Sequence, residues 1–196
     1  MQFETEAIVC AVLHHGEHGA IVRMLTPDHG LFAAYVRGGR GRRMRPVLIP
    51  GNVVAVQVRS RTESQLPQAS IELSRSRGPI LGEPLPSSAI EWATALVASA
   101  LPERQPYPHI HAALSGLLDA VESAPSASGW GRGLARFESL LIAELGYGSG
   151  EVDSTDLFEA LRSSGDRLFR DVLPGSAPSL RDSRGRLVER MRRALV

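Results

Sequence analysis

The chain has 196 residues, 43% of them hydrophobic, and its 22 basic and 21 acidic side chains leave a net charge of +1, which excludes a disordered tail and suits one large or two small folded domains. Every basic residue is arginine, so neither a Walker-type phosphate loop nor Schiff-base catalysis can be built, and the single cysteine, Cys10, excludes internal disulfides and cysteine-rich zinc sites. No apolar run approaches the ~20 residues that span a bilayer, and the start Met1-Gln2-Phe3-Glu4-Thr5-Glu6 lacks the order of a signal peptide, so the expected location is cytoplasmic.

The first part of the chain reads as five strands. Thr5 to His15 alternates, with Ala7, Val9, Ala11 and Leu13 on one face and Ile8, Cys10 and Val12 on the other, both apolar enough for a small closed barrel. Gly16-Glu17-His18-Gly19 turns the chain into a second strand, Ala20 to Thr26. Pro27-Asp28-His29-Gly30 turns it again into a third, Leu31 to Val36. Asn52 to Ser60 supplies a β-branched fourth strand and Ala69 to Leu73 a fifth, which suggests an OB-type five-stranded barrel.

Between the third and fourth strands lies the run Arg37-Gly38-Gly39-Arg40-Gly41-Arg42-Arg43-Met44-Arg45-Pro46, with five positive charges on glycine-loosened backbone. Planar, permanently charged guanidinium forks match phosphate oxygens, so the run points to a polyanion and above all to nucleic acid. A solvated basic loop is the plain alternative. Arg59 and Arg61 at the end of the fourth strand, and Arg75 and Arg77 just after the fifth, are expected to extend the basic surface. Phe32 and Tyr35 lie three apart on one strand and so face opposite sides; Phe32 belongs to the core, and Tyr35 is left to meet a base. With so few aromatics, phosphate contacts should dominate and leave base edges free to pair.

Charge and pattern change at the same point. Residues 1 to 82 hold ten arginines against six acids, whereas residues 83 to 196 hold twelve against fifteen. The linker-like Gly82-Glu83-Pro84-Leu85-Pro86 therefore divides a barrel domain, 1–82, from a helical domain, 83–196. Ser88-Ala89-Ile90-Glu91 has capping-box spacing ahead of a helix that stops at Pro102. Pro108 can start a helix carrying Ile110, Leu114, Leu117, Leu118 and Val121, and Trp130, Leu134, Phe137, Leu141 and Leu145 stripe a third helix that ends at Gly146. Short helices over Thr155 to Arg162 and Arg167 to Leu173 precede a last one, Ser183 to Val196. In that last helix Leu187, Met191 and Leu195 face inward and Arg184, Arg186, Arg190, Arg192 and Arg193 face out or sideways. Gly146-Tyr147-Gly148-Ser149-Gly150 matches neither a dinucleotide fingerprint nor a serine-hydrolase elbow. His14, His15 and His18 cluster, but adjacent strand residues diverge, so no metal site is expected, and no catalytic residue is assigned.

The order Val12-Leu13, Gly16-Glu17, Leu25-Thr26, His29-Gly30-Leu31, the basic loop from Arg37-Gly38, and Leu48-Ile49-Pro50 resembles the start of the bacterial RecO recombination mediators. Leu134-Ala135-Arg136-Phe137-Glu138 through Leu141 and Glu144-Leu145-Gly146-Tyr147-Gly148 is similar to that family's central helix. Ala160-Leu161-Arg162 and the Arg-x-x-Leu-Val of Arg184 to Val188 resemble its end. The resemblance implies an α+β protein, an N-terminal OB domain followed by an α-helical domain, with no enzymatic activity and no cofactor. It further implies binding of single- and double-stranded DNA, annealing of complementary strands, and work with RecR to help RecA displace single-strand-binding protein. Many family members carry a cysteine-bearing, sometimes zinc-holding insertion after Gly-Tyr-Gly; here the chain passes almost directly to the terminal helices, so zinc is not expected. An RNA-binding OB factor and a protein-interaction module are the competing readings of the residues.

Overall fold

A computed structural model describes residues 2–60, 65–124, 126–149, 151, 154–175 and 178–195. Five strands run in chain order, β1 (Gln2–His15), β2 (Gly19–Thr26), β3 (Gly30–Val36), β4 (Val53–Arg59) and β5 (Gln68–Arg75). They close into a barrel in the order β1-β2-β3-β5-β4, with β3 and β5 parallel and the other pairs antiparallel. That order and closure make the N-terminal part an OB-type barrel. Its interior is filled by Val9, Val22, Met24, Phe32, Val54, Val56, Val58 and Ile71, all at most 9% exposed. Closure removes sheet edges, so short strands whose two faces are both apolar are stable here.

One departure from simple alternation bears on the surface of the barrel. β1 carries a bulge between Val9 and Ala11, where two residues oppose one on β2, and the bulge reverses which side chains face inward. Val9 lies in the core, but beyond the bulge Val12 packs against the core and Leu13 stands 54% exposed on the outside. Ala7, Val9, Ala11 and Leu13 therefore do not share one face. The bulged residue, Cys10, is buried, and burial pushes its thiol up to about 12 against the weaker opposing pulls of a Leu25 backbone hydrogen bond and the Arg23 charge. The unfolded thiol then ionises first, so this contribution to stability is whole at neutral pH and is lost as pH rises from about 9 towards about 12. A thiol reagent at pH 8 is expected to leave the native protein unlabelled and to label it fully in denaturant; rapid native labelling would contradict this burial.

The chain divides into two compact units, and the division is not a single cut: residues 1–82 together with Leu101–Pro108 form the first, and Glu83–Ala100 with His109–Val196 the second. Leu101–Pro108 crosses the outside of the barrel. Glu103 pairs with Leu31 in a parallel bridge and with Arg23 through a 3.2 Å ion pair, and the Arg104 amide donates to the Leu31 carbonyl at 2.7 Å.

The second unit is built on α1 (Pro84–Ala100), α2 (Pro108–Ser123), α3 (Ala127–Glu144), α4 (Leu157–Arg167) and α5 (Pro178–Leu195). α1 begins inside the expected linker. Pro84 and Pro86 both sit in its first turn, where no backbone N–H is required, so Ser88 is not a cap; its hydroxyl donates back to the Pro84 carbonyl at 2.7 Å. Ser126 caps α3, and Asp156 caps α4 by accepting from the Glu159 amide at 2.8 Å. The two short helices expected after residue 155 are continuous, because α4 runs on into a π-type turn, Leu168–Val172. Trp130, Leu134, Phe137 and Leu141 are buried as the helical stripe requires, and so are Leu187 and Met191.

Arg184 is the main correction in this unit. Rather than facing solvent it is 9% exposed, and it donates from Nε and Nη2 to the two carboxylate oxygens of Glu138 at 2.9 and 2.7 Å. Glu138, fully buried on α3, also accepts from Trp92 Nε1 at 2.8 Å and from the Ser164 hydroxyl. Burial works against the Arg184 charge, but the field and hydrogen bonds of Glu138 outweigh it and hold the guanidinium above its ordinary range. Gly165 makes room, since a Cβ there would lie 2.3 Å from Arg184 Nη1. Among the described residues no helix is long and apolar enough to cross a membrane.

Candidate nucleic-acid interface

The arginine run leaves β3 at Val36 and is shaped by its glycines. Gly38 takes a left-handed φ of +70°, and the Gly41 amide donates back to the Gly38 carbonyl at 2.8 Å. The next residues wind into a helical turn, with Met44 N to Gly41 O at 3.0 Å, Arg45 N to Gly41 O at 3.1 Å and Leu48 N to Met44 O at 2.9 Å. Met44, Val47 and Leu48 pack against the barrel core. Apolar residues anchor the loop, and the arginines interleaved with them point away: Arg37, Arg40, Arg42, Arg43 and Arg45 are all exposed. None of the five has a carboxylate partner among the described residues.

Two contacts fasten this loop. At its start, Arg40 Nη1 donates to the Gly16 and Glu17 carbonyls at 3.1 and 3.2 Å, and the Arg40 amide donates to the His18 carbonyl at 3.2 Å, which ties the loop to the β1–β2 turn. At its end, the buried Asn52 amide donates to the Pro46 and Val47 carbonyls at 2.9 and 3.1 Å, while its Oδ1 accepts from the Arg77 amide at 2.8 Å. The basic loop is therefore a framed surface, which lowers the entropic cost of holding a ligand.

The remaining candidate residues separate. β3 pairs Tyr35 with Gln68, and β4 pairs Arg59 with that same Gln68, so Tyr35 and the exposed Arg59 belong to one girdle around the outside of the barrel. Phe32 points inward and is 2% exposed, whereas Tyr35 is half-buried on the outer face. Arg75, exposed at the far end of β5 and seven residues or roughly 23 Å from Gln68, pairs in register with Val53, just after the Asn52 that holds the end of the loop. Arg77 does not extend the basic surface at all: it is 1% exposed and its Nη1 donates to the Gly51 carbonyl, making it a brace for the start of β4. Arg61 lies outside the described residues.

Sequence reasoning missed three parts of this region. Asn52 reads from sequence only as the start of a strand, although a lone amide beside Gly51 at a strand entry is a signal for a side chain that bonds backbone. The β1–β2 turn, with His15, His18 and Gly19, reads from sequence only as a turn and a poor metal candidate. Leu66, ahead of β5, and Gln68, its first residue, carry no motif that marks them in the sequence. These last two groups line one open depression of about 520 Å³ together with Tyr35.

The molecule is an OB-barrel protein with a helical C-terminal unit, its barrel carrying a basic β3–β4 loop beside the β1–β2 turn. Residues 1–77 match the family model described as Recombination protein O N terminal. The chain is 41% identical to DNA repair protein RecO of Phenylobacterium zucineum over 149 residues, which are 76% of this chain and 60% of that protein. It is 40% identical to DNA repair protein RecO of Rhodospirillum centenum over 149 residues, 76% of this chain and 58% of the relative. Against DNA repair protein RecO of Caulobacter sp. strain K31 it is 33% identical over 203 residues, covering 96% of this chain and 82% of the relative. The chain belongs to the RecO family. It spans about three fifths of the length of the first two of these relatives.

Proposed function

We propose that this protein is a DNA repair and recombination factor that holds DNA strands through their phosphates and brings complementary strands together. The observation that carries the reading is the arginine loop: five exposed guanidinium groups, without carboxylate partners among the described residues, on backbone fastened at both ends to an OB-type barrel. The printed names of its relatives, DNA repair protein RecO, support the same role.

The mechanism follows from charge. Two strands approaching each other repel through their phosphates, and a surface that neutralises those phosphates lowers the barrier to encounter. Arginine forks engage phosphate oxygens and leave Watson–Crick edges unread, so the strands remain free to pair. Arg59, on the same girdle as Tyr35, continues the path of positive charge around the barrel. In the cell the protein would work with RecR to help RecA replace single-strand-binding protein, on single- and double-stranded DNA, as its family resemblance suggests.

Salt dependence of binding is the direct test. If all five loop arginines neutralise phosphates of a single strand, log affinity should fall with log salt at a slope near 3.5, about 0.7 per contact. A slope near zero on a dT oligonucleotide, or equal annealing rates with and without the protein, would overturn the proposal.

A further inference from the structure

The outer face of the barrel beside the arginine loop holds an apolar, aromatic strip that phosphate binding leaves unused. Register places Leu13 against Ile21, Ile21 against Tyr35 and Tyr35 against Gln68, so these side chains lie in one row across four strands. Leu13 is 54% and Leu66 44% exposed, two of the four large apolar side chains that stand in solvent among the described residues. An exposed apolar patch rimmed by charge marks a binding surface.

Tyr35 is the fixed point of the strip. A Cβ on Gly19 would fall 2.3 Å from the Tyr35 ring, so the ring lies directly on the Gly19 backbone, where any other residue would displace it. The His15 ring meets it edge-on, with centroids 5.9 Å apart and planes at 81°. The Tyr35 amide donates to the Pro67 carbonyl at 2.8 Å, which holds Leu66 and Gln68 alongside. These residues line the depression of about 520 Å³, a size within the range of small-ligand sites of about 300–1,000 Å³. Its lining includes the paired His15 and Tyr35 rings. Gly16 and Glu17, whose carbonyls are the ones gripped by Arg40, line it as well. The depression has room for a flat apolar group whose attached anion would reach the loop.

Resting on the phosphate-binding reading above, we propose that Tyr35, braced by Gly19 and His15 and flanked by Leu66, is a stacking platform for one unpaired base of a strand whose phosphates lie on the arginine loop. A base inside a duplex has both faces covered by its neighbours and cannot enter. The platform thus makes the barrel discriminate single strands, or the unpaired end of a junction, from continuous duplex, which the arginine loop alone does not. One anchored base also leaves the remaining bases free to pair.

The test uses the whole chain with Tyr35→Ala, Tyr35→Phe and Leu66→Ala, a dT oligonucleotide, a blunt duplex of equal length, and a single strand carrying one 2-aminopurine. Tyr35→Ala is expected to weaken single-strand binding by about 5- to 150-fold, the range of one stacked base, with duplex affinity and the salt slope unchanged. Tyr35→Phe should bind like the parent. Leu66→Ala, an exposed position outside the core, should give a smaller loss in the same direction, so the result does not depend on Tyr35→Ala folding well. Quenching of 2-aminopurine by the parent should disappear with Tyr35→Ala. Equal losses on single strand and duplex, or no loss on either with the salt slope intact, would overturn the platform while leaving phosphate binding standing; no binding of any DNA by the parent would overturn both. Loss of binding to a protein partner with single-strand affinity unaltered would assign the strip to a protein interface instead.

Discussion

Replacing Glu138 by alanine should destabilise the helical unit by about 3–5 kcal/mol, because it strands the Arg184 guanidinium in the interior without its counter-charge. Glu138 is fully buried and Arg184 only 9% exposed, so water cannot take over the lost bonds. The same change takes an acceptor from Trp92 Nε1 and from the Ser164 hydroxyl. Thermal unfolding should shift down by roughly 15–30 °C in a unit of this size. A useful companion is Glu138→Gln combined with Arg184→Met, which removes both charges yet keeps an acceptor for the indole N–H. The pair should recover most of the loss, since a buried ion pair stabilises little relative to a neutral replacement although breaking it is costly. A Glu138→Ala protein melting within a few degrees of the parent would show that the charges are not held as described. The barrel unit has its own core and should keep its structure in these variants.

The second large effect concerns the loop. Changing Arg42, Arg43 and Arg45 together to alanine should reduce the single-strand salt slope by about 2 and weaken binding at 0.1 M salt by about 100-fold, the counterion-release contribution of three contacts. Annealing should slow in parallel. Arg40 is left in place deliberately, because its bonds to Gly16 and Glu17 hold the loop to the β1–β2 turn and its removal would confuse anchoring with charge. The three chosen residues are exposed, so stability should change by no more than about 0.5 kcal/mol. An unchanged slope in a folded triple variant would move the DNA-binding surface elsewhere on the molecule.

Much of this architecture was legible in the residues. Alternation in the first part marked five strands, and Leu and Trp at helical spacing marked the second unit, because each element must bury a face and the period of its apolar residues follows its backbone geometry. The arginine loop was legible too, since five arginines and three glycines in ten residues have few structural uses. The exits from local rules were not. A single bulge at Cys10 turned Leu13 outward, and bulges leave no reliable mark in one sequence. Two prolines placed in the first turn of α1 looked like a linker because proline breaks helices everywhere except there.

What the sequence determined by itself, then, was composition, periodicity and turn chemistry: an OB-type barrel followed by helices, a basic loop between the third and fourth strands, and a likeness to RecO proteins. Only the tertiary structure decided which arginines are available. Arg42, Arg43 and Arg45 stand in solvent, Arg77 braces Gly51 from within, and Arg184 pairs with a glutamate 46 residues away. An arginine has the same charge and length in each place, and whether it meets water, a carbonyl or a carboxylate depends on contacts between segments distant in the chain. The Tyr35 platform has the same origin, for its parts come from the β1–β2 turn, β3 and the approach to β5, brought side by side by barrel closure.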